Sequence, residues 1–415
     1  MLRPQAGSNN NWAPDAVPSG FVVKPRPTVP NKPIFKRACE LLSVVQWTTG
    51  FLFMGISCFV IFVYLMYSIG KHILLLVLFT VSVPSRGRSA LEVMQWSTCE
   101  ACYFALTATL TTCYIRHWQH DLGAEERGSH PWKTMRHLNI WEQLANYFPI
   151  QLILSEELLE CVESRRRTTV SAGDWQPYTV AGLPADRNYL VGYHPHGVFS
   201  TGAFVNFMTE ANEFSKVFPG LTPWLATLKA HFKSPFYREY LMSLGMVSAS
   251  KRSLQYLLDE KERKCTGNFV IVVVGGATEA LEAHPRHYRM VVTKRFGFFK
   301  LALQTGSTLI PCLSFGEQAM YNQIPNEPGT RLRRFQDWFE SVCTFSPPLF
   351  YARGLIPYRT PVNTVVGAPI PCKRIEDPTP KQVCEVKQMY LDSLQGLFWK
   401  YKSVYDPKAE DIVFL

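Results

Sequence analysis

Asn188-Tyr189-Leu190-Val191-Gly192-Tyr193-His194-Pro195-His196-Gly197 sets a short apolar run directly before two imidazoles, a proline and a glycine. The run from Asn188 to Gly192 reads as a strand, so the histidines fall at its C-terminal end, where open α/β sheets usually display reacting groups. Imidazole titrates nearest physiological pH and can take a proton from a hydroxyl and return it later. Pro195 fixes its own φ, and Gly197 lets the chain turn where a side chain would clash. Such a histidine pair serves chemistry or structure equally well, and its surroundings decide.

From Asn188 onward strands and helices alternate, the pattern of an α/β domain. Further strands read at Asn268–Val274, Thr308–Phe315 and Asn363–Val366, with helical stretches near Ala203–Ser215, Phe236–Leu244, Arg252–Lys261 and Phe296–Thr305. A last helix, about Lys381 to Lys402, carries Val383, Val386, Tyr390, Leu394, Leu397, Phe398 and Tyr401 on one face, which predicts core packing.

The strand Asn268–Val274 ends in Gly275-Gly276-Ala277-Thr278-Glu279. Two glycines between strand and helix give a tight turn with close backbone approach, and the N–H groups of Ala277 and Thr278 suit an anion or a developing oxyanion. Glu279 falls in the first helical turn, either as a carboxylate favoured by the helix dipole or as a group that meets the histidine loop. Gly316-Glu317 follows the strand Thr308–Phe315. His194 and His196, Glu279 and Glu317 therefore stand at three strand ends that converge as a catalytic face does. Lys294 and Arg295 precede Phe296 and Phe298 at a helix start, as a phosphate contact or a membrane-facing basic patch. Phe199 and Thr201 occupy the positions five residues beyond the histidines, so there is no His-x4-Asp dyad. A Gly-x-Ser-x-Gly nucleophile elbow and a Walker A loop are also missing. His284 and His287 form a further histidine cluster, and no metal is expected.

The first part of the chain has a different character. Hydrophobic residues make up 47% of the 415 and charged ones 18%, and Leu41 to Gly70 carries no charge. About 20 apolar residues suffice to cross a hydrocarbon core. Lys71-His72 interrupts and Ile73 to Val83 resumes, which predicts a membrane-embedded hairpin over residues 41–83. Ala101 to Ile115 is an additional embedded or packing segment. The expected organisation is a disordered cytosolic segment 1–38, a membrane-anchoring region 39–120, an interfacial helix (Trp141 to Leu154) with an exposed insertion over 121–187, and an α/β domain over 188–415. The hydrophilic, proline-rich first forty residues do not read as a signal peptide. Eleven scattered cysteines, with Cys99 and Cys102 a lone CxxC, fit a reducing, cytosol-facing setting rather than a disulfide framework. The net charge of +10 has no nucleic-acid motif beside it, so a membrane surface and a phosphorylated co-substrate are the expected partners.

Several segments together carry a resemblance. They are Tyr193–Gly197, Phe218-Pro219-Gly220, Arg238–Ser243, Val272–Glu279, Gly297–Leu303, Ser314–Glu317, Arg353-Gly354 and Val365–Ile370, with Leu42–Trp47 and Tyr147–Leu152 before them. This ordered set resembles the type 2 diacylglycerol acyltransferase family, which takes in monoacylglycerol and wax-alcohol acyltransferases. The resemblance implies an acyltransferase-like central sheet flanked by helices. It also implies an endoplasmic-reticulum membrane enzyme, found on lipid droplets too, that moves a fatty acyl group from acyl-CoA to a lipid hydroxyl. Its active site would be His194 to Gly197, with His196 as base beside His194 and Glu279. Gly197, Gly275, Gly276, Ala277, Thr278 and Glu317 are the expected substrate or oxyanion contacts, and Lys294 and Arg295 the CoA-phosphate contacts. No Ser or Cys nucleophile pairs visibly with the histidines, which favours direct transfer. Acyl-CoA is expected as co-substrate with no further cofactor, and membrane lipids as partners, while homo-oligomerisation is left open. Diacylglycerol is the first choice of acceptor; monoacylglycerol, a long-chain alcohol and a non-catalytic lipid-binding scaffold are the alternatives.

Overall fold

The computed structural model describes residues 20–26, 32–82, 98–161, 183–343, 345–354 and 356–415. The expectations for residues 1–19 and for most of the insertion, 162–182, lie outside these.

Eight strands form one mixed sheet: β1 (Phe21–Val22), β2 (Ile150–Leu154), β3 (Tyr189–His194), β4 (Thr222–Thr227), β5 (Met246–Ser248), β6 (Asn268–Val273), β7 (Thr308–Phe315) and β8 (Val362–Val366). Their spatial order is β1-β2-β8-β7-β3-β6-β4-β5. The run from β7 through β3, β6 and β4 to β5 is parallel, and β8 closes antiparallel on β7. Parallel strands are covered on both faces and so read as unbroken apolar runs, which is why β3 and β7 are legible in sequence and fully buried in the fold. Tyr193 pairs with Val273 on one side and Cys312 on the other, so the C-terminal ends of β6, β3 and β7 lie side by side. One core layer gathers Trp47, Trp141, Phe204, Phe207 and Phe269, and the other Tyr288, Phe299, Leu394 and Phe398.

The sheet reaches outside residues 188–415. Trp141 to Leu154, expected as a single interfacial helix, is a half-buried helix Asn139–Tyr147 followed by β2. Pro149 cannot continue the helical ladder, and Ile150 and Ile153 are stiff, strand-favouring side chains. Residues 20–26, expected within a disordered segment, supply β1, which pairs antiparallel with β2. Arg26 is anchored there by Glu142 (2.9 Å) and by the Ala211 carbonyl (2.7 Å). β4 was hidden in sequence by Pro223, which argues against a sheet interior.

The hairpin expected over residues 41–83 is corrected. Helix α1 (Ile34–Thr49) passes through a π-helical turn, Gly50–Met54, into α2 (Gly55–Ser82) with no reversal at Lys71-His72. Two polar side chains do not interrupt a backbone ladder, and a lysine stem can lie along an apolar helix with its ammonium displaced toward water. Helix α3 (Thr98–His120), which contains the 101–115 segment, packs antiparallel on α2, His72 stacking on Phe104 and Phe62 meeting Tyr114. Ile34–Leu75 is the one helix among the described residues long and apolar enough to cross a membrane. Its first part is held to the domain by buried Ser43, Val44 and Trp47, whereas apolar side chains from Phe53 to Val77 stand exposed over about 37 Å of helix.

Helix α4 (Pro380–Tyr405) opens with a capping box between Thr379 and Gln382 and with Pro380 in the first turn. Its buried face is Val383, Val386, Tyr390, Leu394, Leu397, Phe398 and Tyr401, as the spacing predicts. That face lies across β3 and β7 and brings Tyr390 to the histidine loop.

Candidate active site

β3 ends on His194, and the chain continues through a cis His194–Pro195 bond to His196 and Gly197. His194 is wholly buried. Its Nε2 lies 3.1 Å from the Tyr390 hydroxyl, which in turn donates to the Gly192 carbonyl at 3.1 Å. With the tyrosine proton committed to that carbonyl, His194 Nε2–H is the donor to Tyr390. Its Nδ1 has no hydrogen-bond partner among the described residues and faces Glu279 Oε2 at 4.0 Å. Gly192 is required here, because any Cβ would collide with the Tyr390 hydroxyl.

Glu279 is buried in the turn after β6. Its Oε1 accepts the His196 backbone N–H at 2.6 Å and its Oε2 accepts the Val291 N–H at 2.8 Å. The carboxylate thus fastens the histidine loop by its backbone, not by an imidazole. A Cβ at Gly275 would overlap this carboxylate, which accounts for the first of the two glycines.

The His196 ring is oriented differently from that of His194. Its Nδ1 lies 3.0 Å from the Gly197 carbonyl oxygen. A carbonyl only accepts, so Nδ1 carries the proton and Nε2 keeps its lone pair. Burial pushes the imidazole below its ordinary 6.5, against smaller opposing effects of that carbonyl and Glu279, so the ring is neutral at pH 7. His196 lines a cavity of about 350 Å³ whose wall is mostly apolar, including Phe199, Val273 and Phe350. Trp47, Phe51 and Leu52 close one side. The last two belong to the π-helical turn, a local widening often found at functional sites. Trp47 stacks on Phe204 at 4.4 Å and donates through Nε1 to Thr201 Oγ1 at 3.1 Å, tying the membrane helix to the segment just after the histidines.

Of the expected substrate or oxyanion contacts, Gly276 and Ala277 line the cavity, whereas Gly197, Gly275 and Thr278 do not. The Thr278 hydroxyl instead donates to Glu340 at 2.6 Å. Gly197 has φ +60, and a Cβ there would lie 2.5 Å from Glu317 Cγ. The placement of Glu317 corrects its expected substrate contact. It is buried behind the loop, where it accepts Thr201 N–H at 2.6 Å, Gly202 N–H at 2.9 Å and Tyr193 O–H at 2.9 Å. Burial, outweighing these three donors, pushes its carboxyl up to about 7. Glu317 therefore shapes the turn from within. Arg295 donates to the Gly275 carbonyl at 2.8 Å, and Lys294 is exposed; neither lines the cavity. His284 and His287 pair separately with Asn326 and Glu410. Among the described residues no three His, Cys, Asp or Glu are grouped to hold a metal.

Four participants were not found from sequence. Phe51 and Leu52 read only as membrane anchor, Tyr390 only as core, and His231 had no motif around it. Each enters the site by packing between segments far apart in the chain.

A mostly parallel sheet with a histidine loop at its centre, an apolar cavity beside that loop and a long apolar helix leaving the domain define a membrane-associated α/β protein. A diacylglycerol acyltransferase family model matches residues 176–415, and the chain belongs to that family. It is 33% identical over 389 residues to human diacylglycerol O-acyltransferase 2, covering 92% of this chain and 84% of that one. It is 38% identical over 309 residues to mouse 2-acylglycerol O-acyltransferase 1, covering 72% and 84%. It is 36% identical over 310 residues to human acyl-CoA wax alcohol acyltransferase 2, covering 73% and 84%. A solved structure, the 1-acyl-sn-glycerophosphate acyltransferase PlsC from Thermotoga maritima, aligns over 62% of this chain and 82% of its own at 13% identity and a TM-score of 0.30, too slight a likeness to bear on the fold.

Proposed function

We propose that the chain transfers a fatty acyl group from acyl-CoA to the free hydroxyl of diacylglycerol, forming triacylglycerol, with His196 as general base. The observation that carries this reading is the His196 Nδ1 contact with the Gly197 carbonyl, which leaves an unprotonated Nε2 on a ring at the wall of an apolar cavity. Nε2 takes the proton of the acceptor hydroxyl as its oxygen attacks the thioester carbonyl. The tetrahedral oxyanion is stabilised by backbone N–H groups of the Gly276-Ala277 turn. Its collapse breaks the carbon–sulfur bond, and the imidazolium returns the proton to the departing thiolate. His194 and Glu279 hold the loop in place. Arg295 and exposed Lys294, close to the Gly275 turn, are the proposed contacts for CoA phosphates.

The same chemistry on a monoacylglycerol or a long-chain alcohol is the second reading, favoured by relatives named for 2-acylglycerol and wax alcohol. The exposed apolar length of α2 supports residence in a membrane. Free cysteines among the described residues fit a domain on the cytosolic face of the endoplasmic reticulum, with lipid droplets as a further location.

The test uses membranes bearing wild type, His194→Ala or His196→Ala, given oleoyl-CoA with each of the three acceptors, and product mass spectrometry. Wild type forms triacylglycerol, His196→Ala loses about 10²–10⁴-fold, and His194→Ala loses less. Undiminished triacylglycerol from His196→Ala would refute the assignment.

A further inference from the structure

A second imidazole stands on the same cavity wall, and the transfer step as written does not use it. His231 lies in a short 3-10 turn, Lys229–Lys233, just after β4. Its Nδ1 is 3.0 Å from the Thr227 hydroxyl, and its ring lies edge-on to Phe51 at 6.0 Å and to Tyr237 at 6.2 Å. Both the main cavity and a smaller adjoining pocket beside Gly50, Tyr237 and Tyr240 are lined by this ring, so His231 sits where they meet against the π-helical turn.

Its one side-chain hydrogen-bond partner among the described residues is the Thr227 hydroxyl. A threonine hydroxyl both donates and accepts, so this contact permits the ring proton on either nitrogen; we take the tautomer in which Thr227 O–H donates to His231 Nδ1 and the ring proton resides on Nε2. Burial drives this imidazole down to about 4, keeping it neutral across the physiological range. Nε2–H has no hydrogen-bond partner among the described residues. A donor held at an apolar cavity wall is stabilised by an acceptor that the ligand brings with it. A fatty chain brings none, whereas an acylglycerol brings ester carbonyls, which only accept.

We propose that His231 is a specificity-determining residue that donates Nε2–H to an ester carbonyl of the acylglycerol acceptor, so that the cavity reads the acceptor's ester and not only its hydroxyl. This rests on the acyl-transfer reading above. It divides the labour between the two cavity histidines: His196, with a lone pair on Nε2, accepts the hydroxyl proton, and His231, with its proton on Nε2, holds the body of the acceptor.

The experiment compares 1,2-dioleoylglycerol with its diether analogue, 1,2-di-O-oleylglycerol, which keeps the hydroxyl and chains but lacks both carbonyls. Each is offered with oleoyl-CoA to membranes containing wild type, His231→Leu or His231→Gln. Wild type is expected to prefer the diester by about 10- to 100-fold in kcat/KM, the range for a site whose polar group loses its partner. In His231→Leu the diester-to-diether ratio falls toward one. In His231→Gln, whose amide also presents an N–H, it stays within about threefold of wild type. Because both acceptors are measured on one preparation, a lower folded fraction cancels from the ratio. An unchanged ratio in His231→Leu, or a wild type indifferent to the carbonyls, overturns the proposal while leaving acyl transfer intact. If wild type transfers to neither acceptor, the acyl-transfer reading and this proposal fall together.

Discussion

Replacing Glu317 by glutamine tests whether a buried carboxylate, and not a substrate contact, shapes the loop after the histidines. Both oxygens are occupied, Oε1 by Thr201 N–H and Oε2 by Gly202 N–H and Tyr193 O–H. A glutamine offers one oxygen and one NH₂, so whichever way the amide is turned one backbone N–H faces a donor. Leaving that group unpaired costs about 1–3 kcal/mol. The wild-type carboxylate also carries a pH dependence, because burial raises it to about 7 from the ordinary 4.5. That interval corresponds to ~3 kcal/mol. The raised value fixes the sign. The stabilisation is complete below pH 4.5, where the carboxyl is protonated in both states, and is lost as pH rises through 7, where the unfolded chain ionises more readily than the folded one. Wild type therefore loses stability between pH 5 and 8.5 relative to Glu317→Gln, which has nothing to ionise there. The variant is less stable at pH 5 by the cost of its unpaired N–H, and the gap narrows by about 2–3 kcal/mol by pH 8.5, closing or reversing. Thermal unfolding of detergent-solubilised protein, followed by tryptophan fluorescence across that range, reads the gap as several degrees in Tm. A gap that is constant or widens with pH would show that Glu317 is ionised throughout, and the account of the loop would fail.

Other outcomes follow from the same geometry. Since burial holds the His196 imidazole below 6.5, kcat/KM for triacylglycerol synthesis should fall on the acid side with an apparent pKa below 6.5 and stay level to pH 8; an acid limb above 7 would exclude this ring as the base. Tyr390→Phe removes the hydroxyl that bridges His194 and the Gly192 carbonyl, strands a buried imidazole N–H, and is expected to cost about 1–3 kcal/mol of stability by the same thermal assay. An unchanged Tm would mean that the bridge is not formed. Val273→Trp adds bulk at the end of β6 on the cavity wall and should shift acyl-CoA preference from oleoyl toward shorter chains in a competition assay; an unaltered chain-length profile would place the acyl chain elsewhere.

The histidine motif and the glycine pair of the neighbouring turn were legible because their chemistry and turn geometry are local. Gly275 has its physical reason in Glu279, four residues away, and Gly197 in Glu317, which is distant in sequence. That contrast explains the mixed success at the site. The convergence of Glu279 and Glu317 on the histidine strand was readable from three strand ends, but their orientation was not. Both carboxylates turned inward to backbone N–H groups, a choice made by burial and donor supply and not by residue type.

By itself the sequence determined the core strands β3, β6, β7 and β8, because strands buried on both faces must be continuously apolar, and the packing face of the last helix, because its period matches a helical stripe. It also determined that an apolar segment reaches out of the domain. Tertiary structure decided the rest. It recruited β1 and β2 to the sheet from residues outside the α/β region and carried the first helix unbroken past Lys71-His72. It placed Phe51 and Leu52 against the histidine loop, hid His194 beneath Tyr390, and set His196 and His231 on one cavity wall. A ring's partner and burial fix which nitrogen carries the proton, and both arise only when segments distant in sequence are brought together.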